Sequence, residues 1–142
     1  MAAIAEQVAR LAEGHVQTIV VTSGAIAAGR HRVRSYHDAR ALPPRDVQSR
    51  QVLAAIGQSR LMALWDQLFE VHDVPIAQAL LTRRDLADRL GYLNARNTLL
   101  GMVELGVVPI VNENDVVSVE ELREFTIGDN DNLSAQVANL VD

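Results

Sequence analysis

The sequence has no cysteine and no lysine, so all 13 of its basic residues are arginines. Without cysteine the chain can form neither disulfide bonds nor thiolate metal sites, which fits the reducing conditions of the cytoplasm. No apolar run approaches the roughly 18 residues of a membrane-spanning helix, and the first residues lack the basic-then-apolar pattern of a signal peptide. We therefore expect a cytoplasmic protein that does not bind membranes.

The charge pattern argues against nucleic acid as a partner. The formal net charge is -5, and the arginines are interleaved with aspartate and glutamate. A nucleic-acid-binding surface would need a clustered basic face. The four histidines lack the spacing of metal ligands, and we predict no metal site. With 142 residues, 49% of them hydrophobic, the chain is long enough for about one domain with a core.

Apolar periodicity predicts the elements of the first half. A first helix that ends at Gly14 follows from four apolar residues at helical spacing, Ile4, Val8, Leu11 and Ala12. TIVVTSG (18–24) predicts a buried strand, and Arg30 to Asp46 a long surface loop. A long helix follows from about Asp46 to His72, with an apolar stripe of Leu61, Leu64, Trp65, Leu68 and Phe69. Because Gly57 weakens that helix, we expect another element to pack closely against it.

The second half continues the alternation of strand and helix. VPIAQALL (74–81) and VVPIV (107–111) predict two more strands. Between them lie one short and one longer helix, the longer one burying Leu93, Leu100 and Val103 and ending at Gly106. A loop then runs to Thr126, and a last helix starts near Asn130 or Asp131. This order predicts an α/β sandwich with a mainly parallel sheet, and three strands form so narrow a sheet that we expect an incomplete domain.

The turn TSGAIAAG (22–29) is the first candidate site. Ser23 and Gly24 lie between a strand and a helix, where a hydroxyl and backbone N–H groups can bind an anion such as a carboxylate. The spacing of Gly24 and Gly29 matches a P-loop, but the lysine that defines one is absent. A glycine turn that only permits tight helix packing is the alternative.

The clusters NEND (112–115) and GDND (128–131) are the second candidate site, the first of them directly after the third strand. They combine acidic and amide side chains at Asn112, Asn114, Asp115, Asp129, Asn130 and Asp131. Such a mixture suits a zwitterion, with carboxylates for the ammonium group and amides for the carboxylate. Oxygen ligands also suit Ca²⁺ or Mg²⁺, although the EF-hand spacing is not met. Helix capping by Asp129 or Asn130 is compatible with either ligand, and RRDLADR (83–89) is interpreted as a charged surface segment.

Five stretches together resemble the glutamate 5-kinases of the amino-acid kinase family. They are VVTSGAIAAGR, LAAIGQSRLMALWDQLFE, ALLTRRDLADRLGYLNARNTLL, VVPIVNENDVVS and IGDNDNLSAQVA, in the family's order. The resemblance implies a three-layer αβα sandwich with a mainly parallel sheet, here incomplete at both ends. It also implies ATP- and Mg²⁺-dependent phosphorylation of the side-chain carboxylate of L-glutamate, the first step of proline biosynthesis.

The resemblance also implies roles for individual residues. Ser23, Asp115 and Asn130 would contact glutamate, with Gly24, Asn114 and Asp129 completing the pocket. Asp131 would be the catalytic residue that orients lysines around the transferring phosphoryl group. Partners implied in the same way are L-glutamate, ATP, proline as a feedback inhibitor and further copies of the chain in a homo-oligomer.

The sequence departs from the family's pattern at its two ends. We expect residues 1–142 to form a partial amino-acid kinase domain that holds the glutamate-binding portion. The strand and glycine-rich loop that bind phosphates, the nucleotide-binding half and the C-terminal PUA domain are not within these residues. Nucleotide-binding residues are therefore unknown, and the lysines of the family are missing. A truncated fragment that binds glutamate or another subunit without catalysis is the alternative hypothesis.

Overall fold

A computed structural model describes residues 1–36, 46–118 and 129–142, and for Asp129 and Asn130 it describes the backbone alone. The elements in chain order are helix α1 (Ala2–Glu13), strand β1 (Val20–Val21), helix α2 (Ala25–Tyr36), helix α3 (Val47–Glu70), strand β2 (Ile76–Leu81), helix α4 (Arg83–Ala87), helix α5 (Arg89–Glu104), strand β3 (Val108–Glu113) and helix α6 (Asp129–Val141). No helix in the described ranges is long and apolar enough to cross a membrane.

The three strands of the described residues form one parallel sheet in the order β1-β3-β2. The central strand β3 contains Pro109, although proline normally removes a hydrogen bond from a sheet. The N–H of Val108 donates to the carbonyl of Pro75 on the β2 side at 2.9 Å. Because successive N–H groups alternate in direction, the nitrogen of Pro109 faces the β1 side, where pairing begins only with Val20 and Ile110. The proline therefore costs no hydrogen bond with β1.

Helices cover both faces of the sheet, which confirms the predicted α/β fold with a parallel sheet. On one face α1, α2 and α3 pack on side chains that include Val20, Val108 and Ile110. On the other face α5 and α6 pack on Val111 and Leu81. Alternate residues of β3 thus serve opposite hydrophobic clusters, as the period of two in a strand requires.

Helices α2 and α3 approach each other through two glycines. A Cβ atom on Gly57 would lie 1.7 Å from the backbone oxygen of Ala25, and one on Gly29 would lie 1.9 Å from that of Leu53. The expected close packing at Gly57 is confirmed. Tight helix packing also explains Gly29 without a ligand.

The face predicted for α1 is partly wrong, because Val8 is buried but Ile4 and Leu11 are not. Ile4 and Leu11 are 47% and 44% exposed, while Ala5, Val8 and Ala9 are buried. Two sets of residues in this helix have helical spacing, and the helix turns the set with alanines toward α3. Small side chains allow the closer approach of the two helices, and the larger ones remain outside.

The loop predicted from Arg30 to Asp46 is wrong in its first part, because α2 continues to Tyr36. Arginine is a good helix former, and the Arg32 guanidinium stacks over the Tyr36 ring at 4.2 Å, one turn further along. The hydroxyl of Ser35 donates to the carbonyl of Arg32 at 2.8 Å. Residues 37–45 of the predicted loop lie outside the described residues.

The long helix α3 begins at a side-chain cap. The N–H of Ser49 donates to the Asp46 carboxylate at 2.7 Å. Hydrogen bonds from the side chain of Ser49 and from its backbone N–H lower the pKa of Asp46 below its ordinary value of 3.8. The stripe predicted in α3 is confirmed at Leu61, Trp65 and Phe69, which are buried. Leu64 lies at the edge of that stripe and is 43% exposed.

The face predicted for α5 is partly wrong. Leu93 is 41% exposed, whereas Leu99 and Val103 form the buried centre of the helix. The helix ends before Gly106, as predicted, and this glycine adopts a φ of 74°. The predicted start of the last helix agrees with Asp129 to within two residues, and residues 119–128, which include most of the predicted loop, lie outside the description.

Candidate ligand site at the carboxyl ends of the strands

The carboxyl ends of β1 and β3 lie side by side. The N–H of Thr22, the residue after β1, donates to the carbonyl of Val111 at 2.8 Å, so β1 is paired with β3 to its end and β3 continues for two more residues. Adjacent strands are about 4.8 Å apart. The chain therefore enters the TSG turn and the NEND cluster at neighbouring positions, as the strand-end rule for parallel sheets predicts.

Ser23 and Gly24 form an exposed turn at the start of α2. Gly24 has a φ of 106°, a conformation that other residues rarely adopt, and its carbonyl accepts the hydrogen bond of Ala28 at 2.9 Å. The helix therefore begins directly after this turn, with its unpaired N–H groups and positive dipole end there. The turn offers an anion-binding end next to an exposed hydroxyl group.

A side chain of α3 is hydrogen-bonded to the residue that precedes this turn. The indole Nε1–H of Trp65, which is 2% exposed, donates to the hydroxyl of Thr22 at 3.2 Å. The Thr22 hydroxyl in turn donates to the carbonyl of Ser23 at 3.4 Å. The prediction that Trp65 belongs to the core is confirmed, and its polar atom fixes the residue before the candidate serine.

The first two residues of NEND are buried and point to opposite faces of the sheet. Asn112 is 3% exposed and its Nδ2 donates to Oε1 of Gln58 at 2.8 Å, on the α3 side. Glu113 is 7% exposed, and the hydroxyl of Ser118 donates to its carboxylate at 2.5 Å. These two side chains are thus held by the protein itself.

The last two residues of NEND are half-buried at the surface. The N–H of Asn114 donates to the carbonyl of Leu81 at 2.9 Å, and the carbonyl of Asn114 accepts from the N–H groups of Val117 and Ser118. The turn joins the ends of β3 and β2 and leaves Asp115 partly accessible. Both predicted substrate residues, Asn114 and Asp115, can therefore reach a ligand.

A cleft of about 560 Å³ adjoins this turn at the end of β2. It is lined by Thr82, Arg83, Arg84, Asp85, Asn114, Val117 and Ser118. Thr82 and Asp85 form a reciprocal capping box at the start of α4. The segment interpreted as a charged surface is indeed exposed at 83–85, but it also forms one wall of this cleft.

The GDND half of the predicted pocket is only partly described. Gly128 lies outside the description, and Asp129 and Asn130 open α6 with their backbone alone described. Asp131 is exposed, and its carbonyl accepts from the hydroxyl of Ser134 at 2.8 Å. The structure thus places Ser23 and Gly24 after the end of β1 and Asn114 and Asp115 after the end of the neighbouring strand β3. The contribution of Asp129, Asn130 and Asp131 stays a prediction.

The chemistry of the described site suits a small polar organic ligand. Among the residues that the structure describes, no three histidine, cysteine, aspartate or glutamate side chains lie close enough to hold a metal ion. The described side chains provide a hydroxyl, an amide and a carboxylate, and the backbone provides the start of a helix. They can accept hydrogen bonds from an ammonium group and donate them to a carboxylate.

Gln58 contacts the candidate site through Asn112, and the sequence prediction missed it. It lies in α3 beside Gly57 and contacts Asn112 across a sequence separation of 54 residues. The sequence did offer one indication, because Gln58 is a polar residue on an otherwise apolar face of the helix and follows a glycine at which close packing was expected. Only the folded arrangement identifies the partner.

Comparison with known proteins identifies the family of this chain. The sequence model described as "Amino acid kinase family" matches residues 1–142. The chain is 56% identical over all its 142 residues to the glutamate 5-kinase of Dehalococcoides mccartyi (strain ATCC BAA-2266 / KCTC 15142 / 195) and 53% identical to that of Herpetosiphon aurantiacus. It is 48% identical over 138 residues, 97% of its length, to the glutamate 5-kinase of Pasteurella multocida.

These curated relatives are much longer than the chain. It spans 37%, 36% and 35% of their respective lengths. The match nevertheless extends over every element described above, from α1 through the paired strand ends to α6. Since the family model covers the whole sequence, this chain belongs to the amino acid kinase family.

Proposed function

We propose that this chain forms the glutamate-binding part of a glutamate 5-kinase, which transfers a phosphoryl group from ATP to the side-chain carboxylate of L-glutamate. The observation that carries the proposal is the pairing of β1 and β3 up to Thr22 and Val111. This pairing makes the strand that leads into α2 a neighbour of the strand that leads into Asp115, which supports a shared site at the two strand ends. The names of the relatives support the choice of glutamate over other zwitterions.

The proposed roles follow from charge and hydrogen-bonding capacity. The hydroxyl of Ser23 and the backbone N–H groups after Gly24 bind a carboxylate of glutamate. Asp115 accepts hydrogen bonds from the ammonium group, and Asn114 adds an amide. Asn130 and Asp129 complete the pocket in this proposal, and Asp131 orients cationic groups around the transferred phosphoryl group.

Phosphoryl transfer depends mainly on positioning and on offsetting the repulsion between two anions. Kinases of this kind use ATP with a divalent cation, and both are part of the proposal. The described residues of this chain, however, offer no metal site, and the sequence has no lysine. We therefore assign this chain glutamate binding, and we propose that the phosphate-binding groups belong to sequence outside these 142 residues, in line with a partial domain.

A second function is favoured by the same absence of lysine. A chain that binds glutamate or another subunit without transferring a phosphoryl group needs the anion and ammonium contacts but no catalytic cations. Proline as an inhibitor, assembly into homo-oligomers and a cytoplasmic location are further parts of the proposal that come from the family resemblance alone.

A chimaera tests the proposed function directly. The matching 142 residues of the Dehalococcoides mccartyi enzyme are exchanged for this chain, and ATP-dependent hydroxamate formation is measured with L-glutamate, N-acetylglutamate and L-aspartate. We expect hydroxamate from L-glutamate only. In the same chimaera carrying Asp115→Asn, we expect a large loss of hydroxamate formation. A folded chimaera that is silent with glutamate, or that prefers another substrate, contradicts the proposal.

The 142-residue chain alone tests what the two functions share, namely that these residues bind glutamate without transferring a phosphoryl group, and only the chimaera separates the two functions. We expect the isolated chain to bind L-glutamate without forming hydroxamate, because it lacks the cations that stabilise the transferring group. Hydroxamate formation by the isolated chain would overturn the proposed division of labour.

A further inference from the structure

Gln58 occupies a position in α3 from which it cannot easily move. The neighbouring Gly57 is pressed against the backbone of Ala25, and Trp65, two turns further along, is hydrogen-bonded to Thr22. These contacts fix the rotation of α3 about its axis and its position along that axis, relative to the ends of β1 and β3. The Gln58 side chain therefore extends toward the end of β3 from a rigid support.

Only one of the two polar atoms of the Gln58 amide has a hydrogen-bond partner among the described residues. Its Oε1 accepts from Nδ2 of the buried Asn112 at 2.8 Å. Its Nε2 is buried and has no hydrogen-bond partner among the residues that the structure describes. If both amides were rotated by 180°, Gln58 would donate to Asn112 and its oxygen would be the atom without a partner.

The spare donor lies near the proposed anion-binding end of α2, because the adjacent Gly57 packs against Ala25, the first residue of that helix. The two terminal atoms of one amide are close neighbours, so Nε2 also lies at the end of β3, near the first residue of NEND. A buried N–H group without an acceptor destabilises a folded protein. A carboxylate oxygen of a bound amino acid would satisfy it.

We propose that Gln58 is a ligand-binding residue of this site: its Oε1 holds Asn112, and its Nε2 donates a hydrogen bond to a carboxylate oxygen of the bound amino acid. This inference rests on the proposed function, because the ligand is the glutamate proposed above. It adds a contact from α3 to a pocket that the sequence assigned to strand ends and loops alone.

The substitution Gln58→Glu tests the spare donor selectively. A glutamate side chain has the same shape and can still accept from Asn112, but it presents a second oxygen in place of the donor. We expect binding of L-glutamate to the 142-residue chain, measured by calorimetry at pH 8, to weaken at least tenfold. At pH 5 the loss relative to the parent at the same pH should be smaller, because a protonated carboxyl can donate again.

The matched control is Gln67→Glu, the same change at an exposed position of the same helix. It should leave the affinity within about twofold of the parent, since surface charges at a distance are screened by salt. Equal affinities of the parent and the Gln58→Glu variant at pH 8 would overturn the inference. So would a loss that is independent of pH in a folded variant, because that pattern indicates a purely structural role.

Side-chain amide NMR gives a test that requires no folded variant. In the ¹⁵N-labelled parent chain, saturating L-glutamate should shift the NH₂ signals of Gln58 and leave those of Gln67 in place. Binding that shifts other site residues without moving Gln58 overturns the inference alone. Failure of a folded chain to bind glutamate at all overturns the proposed function and the inference together.

Discussion

The ends of β1 and β3 and the end of β2 are stabilised in different ways. The first two are held by side chains of α3, through Trp65 to Thr22 and Gln58 to Asn112, across 43 and 54 residues of sequence. The end of β2 is closed by its own next turn, where Thr82 and Asp85 cap α4 across three residues. The candidate site therefore depends on tertiary packing, and the neighbouring cleft on local chemistry.

This difference predicts how far a substitution at each place is felt. Changes at the contacts of α3 with the ends of β1 and β3 should lower the stability of the whole chain and also weaken ligand binding. Changes at the capping box should remain local and cost about as much as one helix cap. Four substitutions test this contrast, in order of decreasing effect.

Gly57→Ala should have the largest effect. The new Cβ would meet the backbone oxygen of Ala25 at 1.7 Å, so α2 and α3 must separate. Overpacking of this kind costs about 3 kcal/mol, which lowers the Tm of a chain of this size by roughly 10 °C. Thermal unfolding followed by circular dichroism measures the change.

The control for this substitution is Gly101→Ala in α5. Among the described residues, no atom outside the local helix backbone lies within 4 Å of a Cβ at Gly101, and alanine is favoured over glycine in a helix by about 1 kcal/mol. Gly101→Ala should therefore stabilise the chain. Equal Tm values for the two variants would show that the contact between α2 and α3 does not hold the site in place.

Thr22→Val should have the second largest effect. It keeps the shape of the side chain but leaves the buried indole N–H of Trp65 without its acceptor, at a cost of about 2 kcal/mol. Because Thr22 precedes Ser23, binding of L-glutamate should weaken as well. Urea unfolding and calorimetry measure both quantities, with the exposed Thr98→Val as the control that should change neither.

Thr82→Ala should have a smaller and more local effect. It removes the cap of the five-residue helix α4, and loss of an N-cap costs about 1 kcal/mol. Hydrogen exchange should accelerate at the N–H of Asp85 and hardly change in β3. Acceleration throughout the sheet would show that this cap is as important for the fold as α3 is.

Asp46→Asn should have the smallest effect, and only above a certain pH. The pKa of Asp46 is lowered in the folded chain, so its carboxylate stabilises the fold above its ordinary value of 3.8, and this contribution is lost as the pH falls through the lowered pKa. An asparagine cap has no such dependence. The Tm difference between parent and variant should therefore favour the parent above pH 3.8 and vanish in stronger acid, and a constant difference would contradict the assigned cap.

Features that depend on neighbouring residues could be predicted from the sequence. The three strands, the parallel sheet and the stops near Gly14 and Gly106 follow from apolar periodicity and backbone preferences. The convergence of the TSG turn with NEND follows from the rule that ligand sites lie at the carboxyl ends of parallel strands. The bounds of the elements need only nearby residues, while the sheet and the convergence follow from the order of the elements together with general rules for parallel sheets.

Features that depend on distant partners could not be predicted. Ile4 and Ala5 each belong to an apolar set with helical spacing, and only the docking of α1 on α3 decides which set is buried. The pairing of Gln58 with Asn112 likewise requires the relative position of α3 and β3. The loop predicted from Arg30 to Asp46 rested partly on Pro43 and Pro44, but a proline restricts only itself and the residue before it, so it could not indicate where α2 ends.

Calorimetric titration of L-glutamate into the 142-residue chain tests the central claim most directly, with L-aspartate and the Asp115→Asn variant in parallel. Our account predicts one glutamate bound per chain, weaker binding of aspartate and at least a tenfold loss of glutamate affinity in the variant. A folded chain that binds no glutamate, or a variant that binds it as tightly as the parent, would contradict the assignment of this site.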